Sequence, residues 1–434
     1  MEEDTMFRSL VFTRVSTILT VLFCGVIANA QILGPSVTEV KYSYTTTFEA
    51  PEDHEEGSDE DLAIMHSSHI FGIFASPTMI SRYVGRNALT GGVGGPRKQM
   101  KIKILSSEVE DGVLTIKYSN SGKMILNAKA ADKILEKGSL DLPLPTNPYD
   151  IYDEKCTDEH YNSFGDFWYF YDPFRKGCEY LSKAPKATMV SLKITPAEYK
   201  KMDLTPKLPS LRGDNGNGNL FSIYIISGYY EDGTDKKDPG YENFREIRDG
   251  FLSQGFEISS KRPKTTMPLN IYTKTIELDN GKTIEVEINH LLIETDIGTR
   301  SKVFAKFFKE AVEEADVIIY GGHSGLGGNL DIPSLEEKAG KFVFNTAKKQ
   351  IFFFDSCSSY SYYLEHFAVE KTKAKIDIVS YGLSSYFHTS TPVLFAFLDH
   401  LLKTDNQDTP WLEILKDMES VLEGNTYLLN VGGI

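Results

Sequence analysis

Four short runs in the C-terminal half of the chain limit its fold more than any other feature. They read LFSIYIISG (220–228), DVIIYGG (316–322), QIFFFDS (350–356) and KIDIVSYG (375–382). Their apolar residues are neighbours in sequence, not strictly alternate ones. A strand of that kind has both faces buried, as in a parallel sheet covered by helices on each side. Helical spacing recurs between the runs. YENFREIRDGFLSQG (241–255) carries it, with a glycine stop. So does SKVFAKFFKEAVEEA (301–315), where Val303, Phe307 and Phe308 fall on one face. TPVLFAFLDHLLK (391–403) is the helix after the last run, and KTIEVEIN (282–289) is a strand or a hairpin arm. Alternating strands and helices predict an α/β layer sandwich over residues 220–434, with a mostly parallel sheet.

The preceding part differs. Residues 31–203 read as a β-rich N-terminal domain, with MKIKIL (100–105) and VLTIKYS (113–119) set apart by a turn signal, EDG. TGGVGGPRK (90–98) lacks the Gly-Lys-Ser/Thr end of a phosphate loop and reads as a mobile loop. PEDHEEGSDED (51–61) reads as a solvated acidic loop whose carboxylates have the chemistry to hold calcium. No cofactor is otherwise called for. His66 and His69 have the spacing of a metal pair, without visible partners, so no metal site is assigned. LTPKLPSLRGDNGNGN (204–219) is rich in Pro, Gly and Asn and reads as a linker. Lys207 and Arg212 within it are candidate self-cleavage points, because nicking concentrates in exposed flexible segments.

Arg8 and Arg14 precede an apolar stretch that ends in Ala28-Asn29-Ala30. That is the pattern of a signal peptide over residues 1–30, cut after Ala30 and leaving no membrane span, with an uncleaved anchor or a lipoprotein through Cys24 as the alternative. Export to a secreted or periplasmic compartment is expected. In an oxidising compartment Cys156 and Cys178 are the natural disulfide pair, once Cys24 has left with the signal. Cys357 then stands alone. A net charge of -15 argues against a nucleic-acid partner.

Two of the four runs end on reactive groups: VIIYGGHSG reaches His323 and IFFFDSCSS reaches Cys357. Residues just past the carboxyl ends of parallel strands share the functional crevice. A thiol beside an imidazole ionises to a nucleophile, and the imidazole later protonates a leaving amine. Backbone N–H groups of Ser324, Gly325 and Cys357 are candidate oxyanion donors. Asp355, two residues before Cys357, shares its side of the strand and predicts a pocket for Arg or Lys. The bland alternative makes Asp355 the cap of a helix over SCSSYSYYLEHF (356–367).

An apolar strand ending in His-Gly, a spacer, then an apolar strand ending in Asp-Ser-Cys resembles the caspase-like cysteine peptidases. FDSCSS is closest to the metacaspase type, alongside clostripain and gingipain. The resemblance covers residues 220–434 and implies a three-layer sandwich. It also implies that His323 is the acid/base and Cys357 the nucleophile of an endopeptidase acting on protein or peptide substrates. Members usually place glycine directly after the histidine, where this chain has Ser324. Other readings are an inactive caspase-like binding protein, an adhesin built on the Cys156–Cys178 segment, and an α/β-hydrolase using Ser324. For the last, Leu326 stands where Gly-x-Ser-x-Gly ends in glycine.

Overall fold

The computed structural model of the chain describes residues 31–54, 57–86, 88, 90–96, 101–150, 155–157, 171–179, 186–197, 218–231, 233, 235–260, 267–295, 301–324, 330–372, 375–405 and 409–433. Its first part holds β1 (Ile32–Leu33), β2 (Val37–Pro51), α1 (Asp59–Ala75), α2 (Pro77–Tyr83), β3 (Gly94–Pro96), β4 (Lys101–Glu110), β5 (Val113–Asn127), α3 (Ala128–Lys137), β6 (Ser139–Pro145) and β7 (Ala187–Pro196). Its second part holds β8 (Leu220–Gly228), α4 (Pro239–Ser253), β9 (Glu257–Ile258), β10 (Leu269–Glu277), β11 (Thr283–Ile293), α5 (Lys302–Glu314), β12 (Val317–Gly321) and α6 (Ile332–Ala339). It continues through β13 (Gln350–Asp355), α7 (Ser359–Tyr362), α8 (Leu364–Ala368), β14 (Ile376–Tyr381), α9 (Phe387–Leu402), α10 (Trp411–Ser420) and β15 (Leu429–Gly432).

Strands β3, β5, β2, β7 and β6 pair in that order, with β4 also on β5. All pairings in this sheet are antiparallel. Along β2 buried and exposed residues alternate, the mark of one dry face and one wet face.

The second sheet runs β1-β15-β14-β13-β12-β8-β11-β10-β9. Its five central strands, β14 through β11, are parallel. The two at each edge pair antiparallel. The molecule is therefore mixed α/β, and the parallel expectation holds for the centre of the sheet alone. Strand β1 joins this sheet from the start of the described chain, Ile32 pairing with Val431.

Successive residues of the central strands feed two cores, because side chains alternate across a sheet. Ile223, Ile225, Ile351 and Phe353 meet Phe251 of α4, Phe397 of α9 and Trp411 of α10. Tyr224, Ile226, Phe352 and Phe354 meet Phe304 and Phe308 of α5. That second core continues into Val40 and Ile116 of the N-terminal sheet. Each such side chain contributes about 1.5–3 kcal/mol on full burial.

Several expectations need correction. The glycine-rich stretch is not loose: Val93 is fully buried and Gly94–Pro96 pair with β5. Part of the acidic stretch starts α1, capped by Ser58. The segment after Cys357 forms two short helices, α7 and α8, in place of one. His66 and His69 are core residues. His66 Nε2 donates to the Pro145 carbonyl at 2.9 Å, its Nδ1 lies 2.7 Å from the Tyr118 hydroxyl, and its ring stacks on Phe48. Among the described residues no group of three or more His, Cys, Asp or Glu is placed to hold a metal.

Cys156 and Cys178 are bonded, and Cys357 is free. Closing a loop of this length stabilises by about 3 kcal/mol. Thiol titration of denatured, unreduced protein spanning 31–434 is expected to find one thiol. Three thiols would contradict the pairing.

Candidate active site

Strand β8 leads to β11 on one side, whereas β12, β13 and β14 follow on the other. The order reverses between β8 and β12, and a crevice must open past the carboxyl ends of the strands there. It measures about 580 Å³ and is lined by Gly228, Gly322, His323, Asp355, Cys357 and Phe387, among others. His323 and Cys357, far apart in sequence, thus face one space.

Glycines make the approach of β8 to β12 possible. A Cβ on Gly228 would lie 2.5 Å from Thr295 Oγ1, and one on Gly322 would lie 2.7 Å from it. The same Thr295 hydroxyl accepts the backbone N–H of His323 at 3.1 Å. His323 Nε2 lies 2.7 Å from the Tyr230 carbonyl. A carbonyl can only accept, so Nε2 carries the proton and the neutral ring has its lone pair on Nδ1. The Tyr230 carbonyl thereby fixes the tautomer, as an orienting group does for a catalytic base.

Cys357 is half-buried, and its Sγ approaches the Ser385 carbonyl at 3.8 Å. Burial pushes the thiol above its ordinary pKa, against the pull of hydrogen bonds from Ser385 and Ser384, and the Asp355 charge adds to the rise. The resting sulfur is therefore the neutral thiol, not the preformed thiolate that proximity to a histidine suggests. Ser324 Oγ donates to the Cys357 carbonyl and ties the histidine segment to the cysteine segment. Ser358 takes a left-handed φ of 50°. Its N–H reaches the Leu383 carbonyl at 2.9 Å.

Asp355 is 7 % exposed and points into the crevice. Burial raises its pKa to about 6, partly offset by the neighbouring Ser390 and Tyr381 hydroxyls. It does not cap the following helix: Ser358 holds that position without a side-chain bond. Glu242 and Glu246, one turn apart on α4, line the same crevice. Its charged lining is thus largely acidic.

The glycine-rich stretch of the N-terminal sheet backs this site. A Cβ on Gly95 would meet the Gly382 carbonyl at 2.7 Å, and one on Gly91 would meet Ser384 Cβ at 3.1 Å. Residues 382–384 lead directly into the Ser385–Phe387 wall that lines the crevice with Cys357, so the N-terminal sheet packs behind that wall.

Gly325, Lys207 and Arg212 lie outside the described residues, as does the expected signal segment. Among the described residues no helix is long and apolar enough to cross a membrane. Reasoning from sequence missed Tyr230, Thr295 and the Ser385–Phe387 wall. The one available signal was glycine at the end of LFSIYIISG, beside an aromatic pair. No protein-family model and no curated protein matches the chain.

Proposed function

We propose that the chain is a caspase-like cysteine endopeptidase of exported type that cuts after Arg or Lys. One observation carries the reading. An imidazole of fixed tautomer, the free cysteine and a buried carboxyl line a single crevice at the reversal point of a parallel sheet.

In the proposed reaction the substrate's basic side chain enters beside Asp355. The Sγ proton passes to His323 Nδ1 as sulfur attacks the scissile carbonyl carbon. The oxyanion takes N–H donors from Ser324, Gly325 and Cys357. The C–N bond then breaks, and the imidazolium proton goes to the departing amine. Water, deprotonated by His323, attacks the thioester; the acid leaves and sulfur regains its proton. Because burial keeps the resting thiol neutral, its ionisation is coupled to attack and to His323 acting as base. The disulfide accords with an extracytoplasmic compartment.

The second reading, a caspase-like binding protein without turnover, is favoured by the same raised thiol pKa and its contact with Ser385. Nothing comparable favours Ser324 as a nucleophile, since its hydroxyl donates to a backbone carbonyl. The test is a peptide panel varied only at the residue before the cut. Wild type is expected to cleave after Arg and Lys. Cys357→Ala is expected to cleave nothing while keeping the wild-type Tm. A wild type that binds basic peptides without cutting any of them would establish the second reading.

A further inference from the structure

The wet face of the N-terminal sheet carries an unusual arrangement of charge. Strands β4, β5, β2 and β7 lie side by side there. One row across them reads Lys101, Ser121, Ser43 and Lys193. Two residues further along, on the same face, the next row reads Lys123, Lys41 and Thr195. The residues between these positions, Tyr42 and Ile194, turn inward and are 3 % and 1 % exposed. These seven side chains line a crevice of about 520 Å³ together with the carboxylate of Glu365.

Lys41 and Lys123 are direct cross-strand partners, a like-charge pairing that destabilises a sheet. Glu39 answers Lys123 at 2.9 Å. Lys41, Lys101 and Lys193 make no ion pair among the described residues. In a chain of net charge -15, such a concentration of uncompensated cations calls for an anionic partner.

We propose that this face binds a linear sulfated polysaccharide. From Lys101 to Lys193 there are three inter-strand steps, about 14 Å. A chain bearing several sulfates can engage the whole row of lysines at once. Ser43, Ser121 and Thr195 stand between the lysines as partners for sugar oxygens. The sole aromatic lining residue, Tyr42, is buried. The face therefore lacks the stacking platform of a single-strand nucleic-acid site. Among the described residues no aliphatic side chain lines the crevice to serve as the apolar wedge of a membrane-surface site. This inference is independent of the peptidase reading.

The test measures binding of protein spanning 31–434 to a heparin-type sulfated oligosaccharide at about physiological salt. The variants are the triple Lys41→Gln/Lys101→Gln/Lys193→Gln and a control triple, Lys302→Gln/Lys306→Gln/Lys338→Gln, which removes the same charge elsewhere. The first triple is expected to bind about tenfold weaker or worse, with the salt-dependence slope lowered by about 2, while the control binds as wild type. Equal losses in both triples would overturn the site. So would tighter binding by wild type to single-stranded DNA or to phosphatidylserine vesicles, or no binding to the oligosaccharide at all.

Discussion

Asp355→Asn is expected to stabilise the protein at pH 7 while it destroys selectivity for basic residues. The carboxyl's pKa rises on folding from 3.8 to about 6, burial being the main cause. Between those pH values the folded state keeps a proton that the unfolded state has released. Raising the pH through that window therefore favours the unfolded state, by about 3 kcal/mol for two pH units. Asparagine removes this cost. Weaker polar contact with the neighbouring Ser390 and Tyr381 hydroxyls gives part of it back, which leaves a gain of about 1–3 kcal/mol at pH 7. The cost makes sense if the pocket waits for a cation. Deleting the charge is expected to cut kcat/KM for Arg-ending peptides by about 10²-fold or more. In the wild type the same kcat/KM should climb as pH rises through about 6. Thermal melts and peptide kinetics on one preparation check both halves. A variant that is less stable and keeps its preference for Arg would refute the pocket.

Acid should unfold this protein steeply, starting well above the usual carboxylate range. His66 and His290 are fully buried and held neutral, with pKa values lowered by burial to about 4 and about 3. Burial also drives His69 well below its ordinary value, and the neighbouring His66 adds to the drop. Below pH 6.5 the unfolded chain takes up protons on these residues and the folded chain does not. Stability present above pH 6.5 is then lost as pH falls, at about 1.4 kcal/mol per unit for each histidine. His66 alone accounts for roughly 3 kcal/mol by pH 4, against a total stability of about 5–15 kcal/mol. The Asp355 term opposes this and is smaller than the three together. Denaturant titrations at half-unit steps from pH 7.5 to 5 should show a near-constant midpoint down to about pH 6.5 and a steady fall below it. A flat midpoint over that range would contradict neutral burial of these rings.

Much of the nine-stranded sheet was legible because its central strands are buried on both faces. Such strands spell continuous apolar runs, and their ends spell the change of environment. The turn from Phe354 to Asp355 is one such end, and that from Tyr320 to Gly321 is another. Helix α5 was legible from one apolar stripe, although Val303 proves only partly buried and Phe304 takes a place inside. Helix α1 was not legible. It buries residues around most of its circumference, two histidines among them, and so shows no stripe. The glycines of β3 read as looseness, yet they serve close approach: the Cβ that Gly95 lacks leaves room for the Gly382 carbonyl. Local pattern could not pair β1 with β15 across nearly the whole chain, nor bring the Tyr230 carbonyl to His323.

Labelling with an active-site probe tests most directly whether His323, Cys357 and Asp355 form one working site. Protein spanning 31–434 is incubated with an irreversible thiol-reactive peptidyl probe ending in Arg, then digested and mapped by mass spectrometry. A single adduct on Cys357 is expected, blocked by excess Arg-ending substrate and absent when the probe ends in Asp. No adduct on Cys357, or equal labelling by the Asp-ending probe, would contradict it.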